Sequence, residues 1–172
     1  IVCIVVDSGF EGPQSRLNNL SEFCSIADIP TYTISSQIEA EAHLAKLKEP
    51  GFRILALSQR LFREEIIDAP GEKAGDGMTR FGKGEQLTIA AFNFSLPQAL
   101  SLQETAKSTG IEAEVISVSH ALPRDWEPVI ESAHQSKRVV VLDDSRSINR
   151  SSDRLRLALY ENVEDCRILA LQ

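Results

Sequence analysis

The chain has 172 residues, 42% hydrophobic and 25% charged, which suits one ordinary domain or two small ones around a true apolar core. That composition excludes a disordered chain, a collagen-like repeat and a coiled coil, and no apolar run approaches the ~20 residues of a membrane span. With 18 Lys+Arg against 25 Asp+Glu, the formal charge of −7 repels a phosphate backbone and argues against a nucleic-acid role.

The run Ile1 to Val6 is apolar on both faces, which predicts a fully buried strand. A loop through Asp7, Gly9 and Gly12-Pro13 follows. Leu17, Leu20, Phe23 and Cys24, at spacings of three and four, predict an amphipathic helix over 15–26. Pro30 precedes a second strand, Thr31 to Ile34. Ser36 with Glu39 three residues on is a capping box for a helix through Leu47. Pro50-Gly51 ends that helix, and Phe52 to Leu57 predicts a third buried strand. This alternation means a parallel sheet with helices packed on it.

Five of the nine glycines lie between Ala69 and Gly84 (Gly71, Gly75, Gly77, Gly82, Gly84), without apolar periodicity, so 69–86 is expected to be a linker between two units. Beyond it the alternation restarts. The expected elements are a strand Leu87 to Phe92, a helix from Ser95-Leu96-Pro97 to Gly110 and a strand Ile111 to Val118. A helix over Trp126 to Ala133, a strand Val139 to Leu142, a helix from Ser151 or Ser152 to Tyr160 and a strand Cys166 to Leu171 complete the series. The second unit thus has the makings of a complete small doubly wound domain. The first has three strands and begins abruptly in one, so it resembles half a domain.

The three cysteines, Cys3, Cys24 and Cys166, lie too far apart for a metal site and are expected to be free thiols in a reducing compartment. No signal-peptide pattern opens the chain, so the expected compartment is the cytoplasm, or the mitochondrial matrix in a eukaryote. Met78 is the sole methionine, so Ile1 is no initiator, and the chain is expected to be trimmed or cut from a longer one. His43 and His134 fall on helices as packing or surface residues. His120, at the end of a strand, is the best functional candidate of the three, because ligands of parallel sheets gather at carboxyl ends. Asp143-Asp144-Ser145-Arg146 follows a strand end too, and is expected to be a solvated loop in preference to a site for a cation or a partner's arginine. Arg146, Arg150 and Arg154 recur at intervals of four with Arg156 close by, and the last three of these are expected to form a charged outer helix face, with Leu155, Ala158 and Leu159 inward.

Gly12-Pro13-Gln14, the helix after it, and Ile54-Leu55-Ala56-Leu57-Ser58-Gln59-Arg60-Leu61-Phe62-Arg63 resemble the later half of the pyrimidine-binding domain of thiamine diphosphate enzymes. The pattern is that of beta subunits of 2-oxo acid dehydrogenases of the pyruvate, branched-chain and acetoin types. Gly84-Glu85-Gln86-Leu87-Thr88-Ile89-Ala90-Ala91-Phe92, Gly110 to Ile116 and Lys137 to Asp143 continue the resemblance into the transketolase C-terminal domain. The expected fold is therefore α/β, with a partial parallel-sheet unit over 1–68, the linker 69–86 and a transketolase C-terminal-like domain over 87–172.

The resemblance implies thiamine diphosphate with Mg²⁺, held only in a complete assembly, and an alpha-type subunit or a second copy of the chain as partner. It places Gly12, Gln14, Ser15 and Arg16 in the loop nearest the cofactor. Where the beta subunits carry an active-site histidine, the corresponding position here is Ser15, so no catalytic residue is expected. The earlier half of the pyrimidine domain, with the glutamate that activates the aminopyrimidine, has no counterpart in the chain. Gly75-Asp76-Gly77 resembles the start of a Mg²⁺–thiamine diphosphate motif but lacks the Asn-Asn downstream, and is expected to be coincidental. The expected function is a subunit or fragment contributing assembly and part of the active-site wall, inactive alone. Two alternatives stay open: a non-catalytic interaction module derived from that family, and a relative of 1-deoxyxylulose-5-phosphate synthase or transketolase.

Overall fold

The structure, a computed structural model, describes residues 2–5, 19–62 and 64–171. Strands β1 (Val2–Val5), β2 (Thr31–Ile34) and β3 (Ile54–Ser58) form a parallel sheet in the order β1-β3-β2. Helix α1 (Leu20–Ala27) ends at Asp28, which takes the left-handed conformation, φ 48°. Helix α2 (Gln37–Ala45) starts in the expected capping box. Glu39 N donates to Ser36 Oγ at 3.4 Å, and Ser36 N donates to the Glu39 carboxylate at 3.1 Å. Its last turn tightens to 3₁₀ geometry over Lys46–Lys48.

The segment expected to be a linker is structured. Residues 69–86 contain β4 (Gly71–Gly75) and β5 (Met78–Phe81), an antiparallel hairpin. Its strands arise from pairing rather than from an apolar period. β5 hydrogen-bonds antiparallel to β7 (Ala113–Val118), and its alternate residues Met78 and Phe81 reach the two sides of the core. The run is too short for periodicity to reveal it. The remaining strands, β6 (Leu87–Phe92), β8 (Arg138–Asp143) and β9 (Arg167–Leu171), complete a six-stranded sheet in the order β4-β5-β7-β6-β8-β9.

Four of the six strands, β7-β6-β8-β9, are parallel, with helices on both faces. Helix α3 (Leu96–Ser108) packs Leu96, Ala99 and Ala106 on Phe81, Ile89 and Val115. Helices α4 (Glu127–Ser136) and α5 (Ser151–Asn162) cover the other face, with Val129, Ala133, Leu155 and Leu159 against Ala90, Phe92, Ile116 and Val141. Both strands are buried on both faces, so β6 is apolar apart from Thr88, and β7 keeps its two polar residues, Glu114 and Ser117, buried. β7 begins at Ala113 rather than Ile111, because Ile111 N is spent on Ala106 O at the exit of α3 (2.9 Å). Gly84 is required there: a Cβ would come within 2.5 Å of Ala113 N.

Candidate functional site

The two sheets meet along the edge of β2. Thr33 N donates to Ser119 O at 2.7 Å, Ala121 N donates to Thr31 O at 2.8 Å, and Tyr32 bridges His120 in antiparallel fashion. Residues 119–121, just beyond β7, thereby satisfy the edge that the three-stranded sheet leaves open. Thr33 and Ser35 hydroxyls add bonds to Asn93 O at 3.2 and 3.3 Å. Asn93 adopts φ 56° to turn the chain out of β6.

Glu39, 1% exposed, reaches across the same seam. Besides the capping bonds, its carboxylate accepts from Ser35 N (2.9 Å) and from Ser117 Oγ on β7 (2.5 Å). Burial raises its pKa above the usual carboxylate range, and the Ser117, Ser35 and Ser36 donors pull it part of the way back.

Tyr32 organises the most charged part of the seam. Its ring lies 4.6 Å from the His43 ring and 4.6 Å from the His120 ring, with Lys46 Nζ 4.9 Å from its centroid. Asp76, in the β4–β5 turn, accepts from Lys46 Nζ (2.8 Å) and from Tyr32 OH (3.2 Å), and lies 3.6 Å from His120 Nδ1. His43 Nε2 is 2.7 Å from Ser119 Oγ, which also lies 2.9 Å from Gly77 O. A hydroxyl has one proton, and the Gly77 carbonyl can only accept it. Ser119 therefore accepts from His43, and the His43 proton sits on Nε2. His43 Nδ1 is left buried without a partner.

These contacts set the charges. Burial, then the neighbouring Lys46, lowers His43 to about 4. Burial lowers His120 too, against the pull of Asp76. Burial would raise Asp76, but Lys46, His120 and the Tyr32 hydroxyl together outweigh it and hold the carboxyl below its ordinary range. Lys46 is raised, chiefly by the same hydrogen bond. Burial, then the Asp76 charge, raises Tyr32. Near neutral pH the seam holds one ion pair flanked by two neutral imidazoles. Ser119 and His43 resemble a nucleophile and its base, but they are 1% and 2% exposed, so no substrate reaches them. The arrangement fastens one sheet to the other. Beside it opens a cavity of about 440 Å³ lined by Tyr32, Asp76, Met78, His120, Arg124 and Pro128 among others.

The loop residues Gly12, Gln14, Ser15 and Arg16, expected nearest a cofactor, lie outside the described residues. His120 lines the cavity, His43 is buried in the seam, and His134 is exposed on α4. Asp143 departs from the expectation of a solvated loop. It is 4% exposed and accepts from Asn93 Nδ2 (3.2 Å), Ser145 N (2.9 Å) and the Ser152 hydroxyl. It ties β8 to β6 and α5, a use of its oxygens that the sequence pattern does not show. Arg154 and Arg156 do face outward, with Arg156 paired to Asp153 at 3.2 Å. Tyr32, Lys46, Ser119 and the bridging role of Glu39 escaped the sequence reading. The signal available was a polar strand, Thr31-Tyr32-Thr33, on the edge of a unit otherwise built of apolar ones.

No cluster of three or more His, Cys, Asp or Glu side chains suited to a metal ion occurs among the described residues. Gly75-Asp76-Gly77 is a hairpin turn whose aspartate is engaged by Lys46 and Tyr32. A Cβ on Gly77 (φ +71°) would lie 2.4 Å from the His120 Cβ, so the turn is packed against protein and offers no cradle for a phosphate. The described residues do not fit a Mg²⁺–diphosphate group. Cys24, which is buried, and Cys166 are free thiols, both shifted upward by burial. No helix among the described residues is long and apolar enough to cross a membrane.

A family model described as the transketolase C-terminal domain matches residues 78–163, half of the chain. The chain belongs to this family. The transketolase C-terminal domain so defined begins at β5, so the β4–β5 hairpin straddles its boundary. A curated relative, the acetoin:2,6-dichlorophenolindophenol oxidoreductase subunit beta of Cupriavidus necator, is 31% identical over 62 residues, 36% of this chain and 18% of that protein. Two solved structures share the fold. One, described as a split gene transketolase, inactive beta4 tetramer, has TM-score 0.63 and 18% identity over 83% of this chain and 47% of its own. The transketolase of Campylobacter jejuni has TM-score 0.66 and 13% identity, over 99% of this chain and 26% of its own. The chain thus spans less than half the length of each.

Proposed function

We propose that this chain acts as part of a beta-type subunit of a thiamine diphosphate-dependent 2-oxo acid dehydrogenase, contributing assembly and part of the wall around the active site. The observation that carries the reading is the family match over 78–163 together with the partial identity to an oxidoreductase beta subunit. The fused seam between the sheets agrees with it, since a fixed junction presents its outer surfaces in one geometry. When bound, the cofactor supplies carbanion chemistry at a 2-oxo acid. The groups that bind it belong elsewhere in the assembly, on an alpha-type subunit. An assembly module without catalytic duty is favoured by one observation: the polar side chains of the seam are spent on one another. Titration calorimetry with thiamine diphosphate and Mg²⁺ separates the readings. The chain alone is expected to give no binding heat, and the chain with an alpha-type 2-oxo acid dehydrogenase subunit is expected to bind the cofactor. Association without any cofactor signal would favour the assembly module, and tight binding by the chain alone would overturn both.

A further inference from the structure

The three-stranded unit is held to the six-stranded sheet by a narrow and mostly polar seam. Among the described residues, no helix or strand of the one packs broadly on a helix or strand of the other. Instead β2 bonds to residues 119–121, and side chains reach Asp76, Asn93 and Ser117. A small apolar patch, where Leu20, Cys24 and Ala56 meet Phe94 and Ala121, completes the join. The two larger apolar clusters are centred on the six-stranded sheet and its own helices.

His43 sits in the seam with room for one ring proton. Its Nε2–H is given to Ser119, whose hydroxyl donates to Gly77 O, and its Nδ1 is buried without a partner. A second proton, on Nδ1, would make an imidazolium with no acceptor at a residue only 2% exposed. The groups facing the ring offer no remedy. Lys46 and Lys73 repel positive charge there, as does His120 when protonated. Asp76 attracts it, but already accepts from Lys46 and Tyr32. Tyr32 presents its ring 4.6 Å away, and Glu39, one turn back on α2, gives its oxygens to Ser35, Ser36 and Ser117.

We propose that the seam is an acid-released joint: when His43 takes a second proton, the three-stranded unit comes away from residues 119–121 while the core of the six-stranded sheet stays folded. Opening gives the imidazolium water, and it breaks bonds between the two units but none within either sheet. The sign follows from the closed state, which holds His43 at about 4 against its ordinary 6.5. Closure is at full strength above 6.5 and weakens as pH falls toward 4. His120, lowered by burial, adds to the release. Asp76, held low by its partners, adds only near and below its ordinary 3.8. Glu39, raised by burial, takes a proton more readily in the closed seam and opposes release. The device goes beyond the assembly reading above and does not depend on it.

Native-state hydrogen exchange of the whole chain, followed by NMR from pH 7 to 4, provides the test. The amides of Thr33 and Ala121 report the seam, because they donate across it, and those of Ala90 and Val141 report the core. After correction for intrinsic rates, Thr33 and Ala121 should show larger opening constants than Ala90 and Val141 at every pH. Their opening constant should rise roughly 10²-fold more between pH 7 and 4 in the unmodified chain than in His43→Gln, the factor set by a proton refused between 6.5 and about 4. The glutamine amide can still donate to Ser119 but does not titrate. If His43→Gln fails to fold, the nitrogen shifts of His43 in the unmodified chain decide the matter. They should show the Nε2–H form, with no protonation while Thr33 and Ala121 stay protected. One common opening constant for all four amides would overturn the proposal. So would an equal rise in His43→Gln, or a His43 that titrates near 6.5 with the seam closed. None of these outcomes bears on cofactor binding with an alpha-type subunit.

Discussion

The core of the six-stranded sheet and the seam between the sheets are held together by opposite means. Around Phe92, Ile116, Leu155 and Leu159 the packing is apolar throughout, with helices on both faces. Along the seam the buried groups are Glu39, His43, Thr33, Ser117 and Ser119. Apolar burial is non-directional and tolerates modest repacking. A buried polar network holds one geometry and is costly to leave half satisfied. The core therefore fixes that the domain folds, whereas the seam fixes how the three-stranded unit sits on it. The two should respond differently to truncation, to acid and to salt.

The largest effect is expected in the core. Phe92→Ala should cost about 3–5 kcal/mol, measured by urea unfolding at neutral pH, and that cost should hardly change with pH. Glu39→Ala should cost about 2–4 kcal/mol, because Ser35 N, Ser36 N and Ser117 Oγ lose a shared acceptor. An indifferent Glu39→Ala would break the comparison, since the seam would then be no more exacting than the core.

Acid should act through the seam. His43 is held to about 4 against its ordinary 6.5. Between these values the unfolded chain binds a proton that the folded chain refuses. Stability is therefore full above pH 6.5 and falls as pH drops toward 4, by about 2–3 kcal/mol at most. Glu39, whose pKa is raised, opposes this trend at the acid end. His43→Asn should flatten the slope of unfolding free energy between pH 6.5 and 4, and an unchanged slope would remove His43 from the account.

The smallest effect is expected at the half-exposed ion pair. Asp76→Asn should cost about 1 kcal/mol or less, and its difference from the unmodified chain should shrink as salt is added. A larger, salt-independent loss would mean that the Tyr32 and His120 contacts, rather than the Lys46 pair, carry the role of Asp76.

Much of the core was legible before any coordinates. Apolar-rich segments announced β6, β7 and β8, and the spacing of Leu155 and Leu159 announced the inner face of α5. The seam was legible only in its pieces. Ser36 and Glu39 gave away a capping box, yet nothing local shows that Glu39 also reaches Ser117, 78 positions away. Asp143 looked solvated because a run of two acids at a strand end usually is. Its burial follows from Asn93 after β6 and Ser152 on α5 converging on it, with Ser145 N of its own loop closing the set.

By itself the sequence determined the alternation of strands and helices, the apolar interior of the six-stranded sheet and the family to which it belongs. These depend on periodicity and on runs of neighbouring residues, which a linear reading contains. Only the tertiary structure decided that the glycine-rich segment is an edge hairpin, that Asp76 turns toward Lys46 and Tyr32, and that the Ser119 carbonyl and the Ala121 N–H complete the edge of β2. Those are hydrogen bonds between groups far apart in the chain, and their partners are chosen by which edges the packed core leaves open.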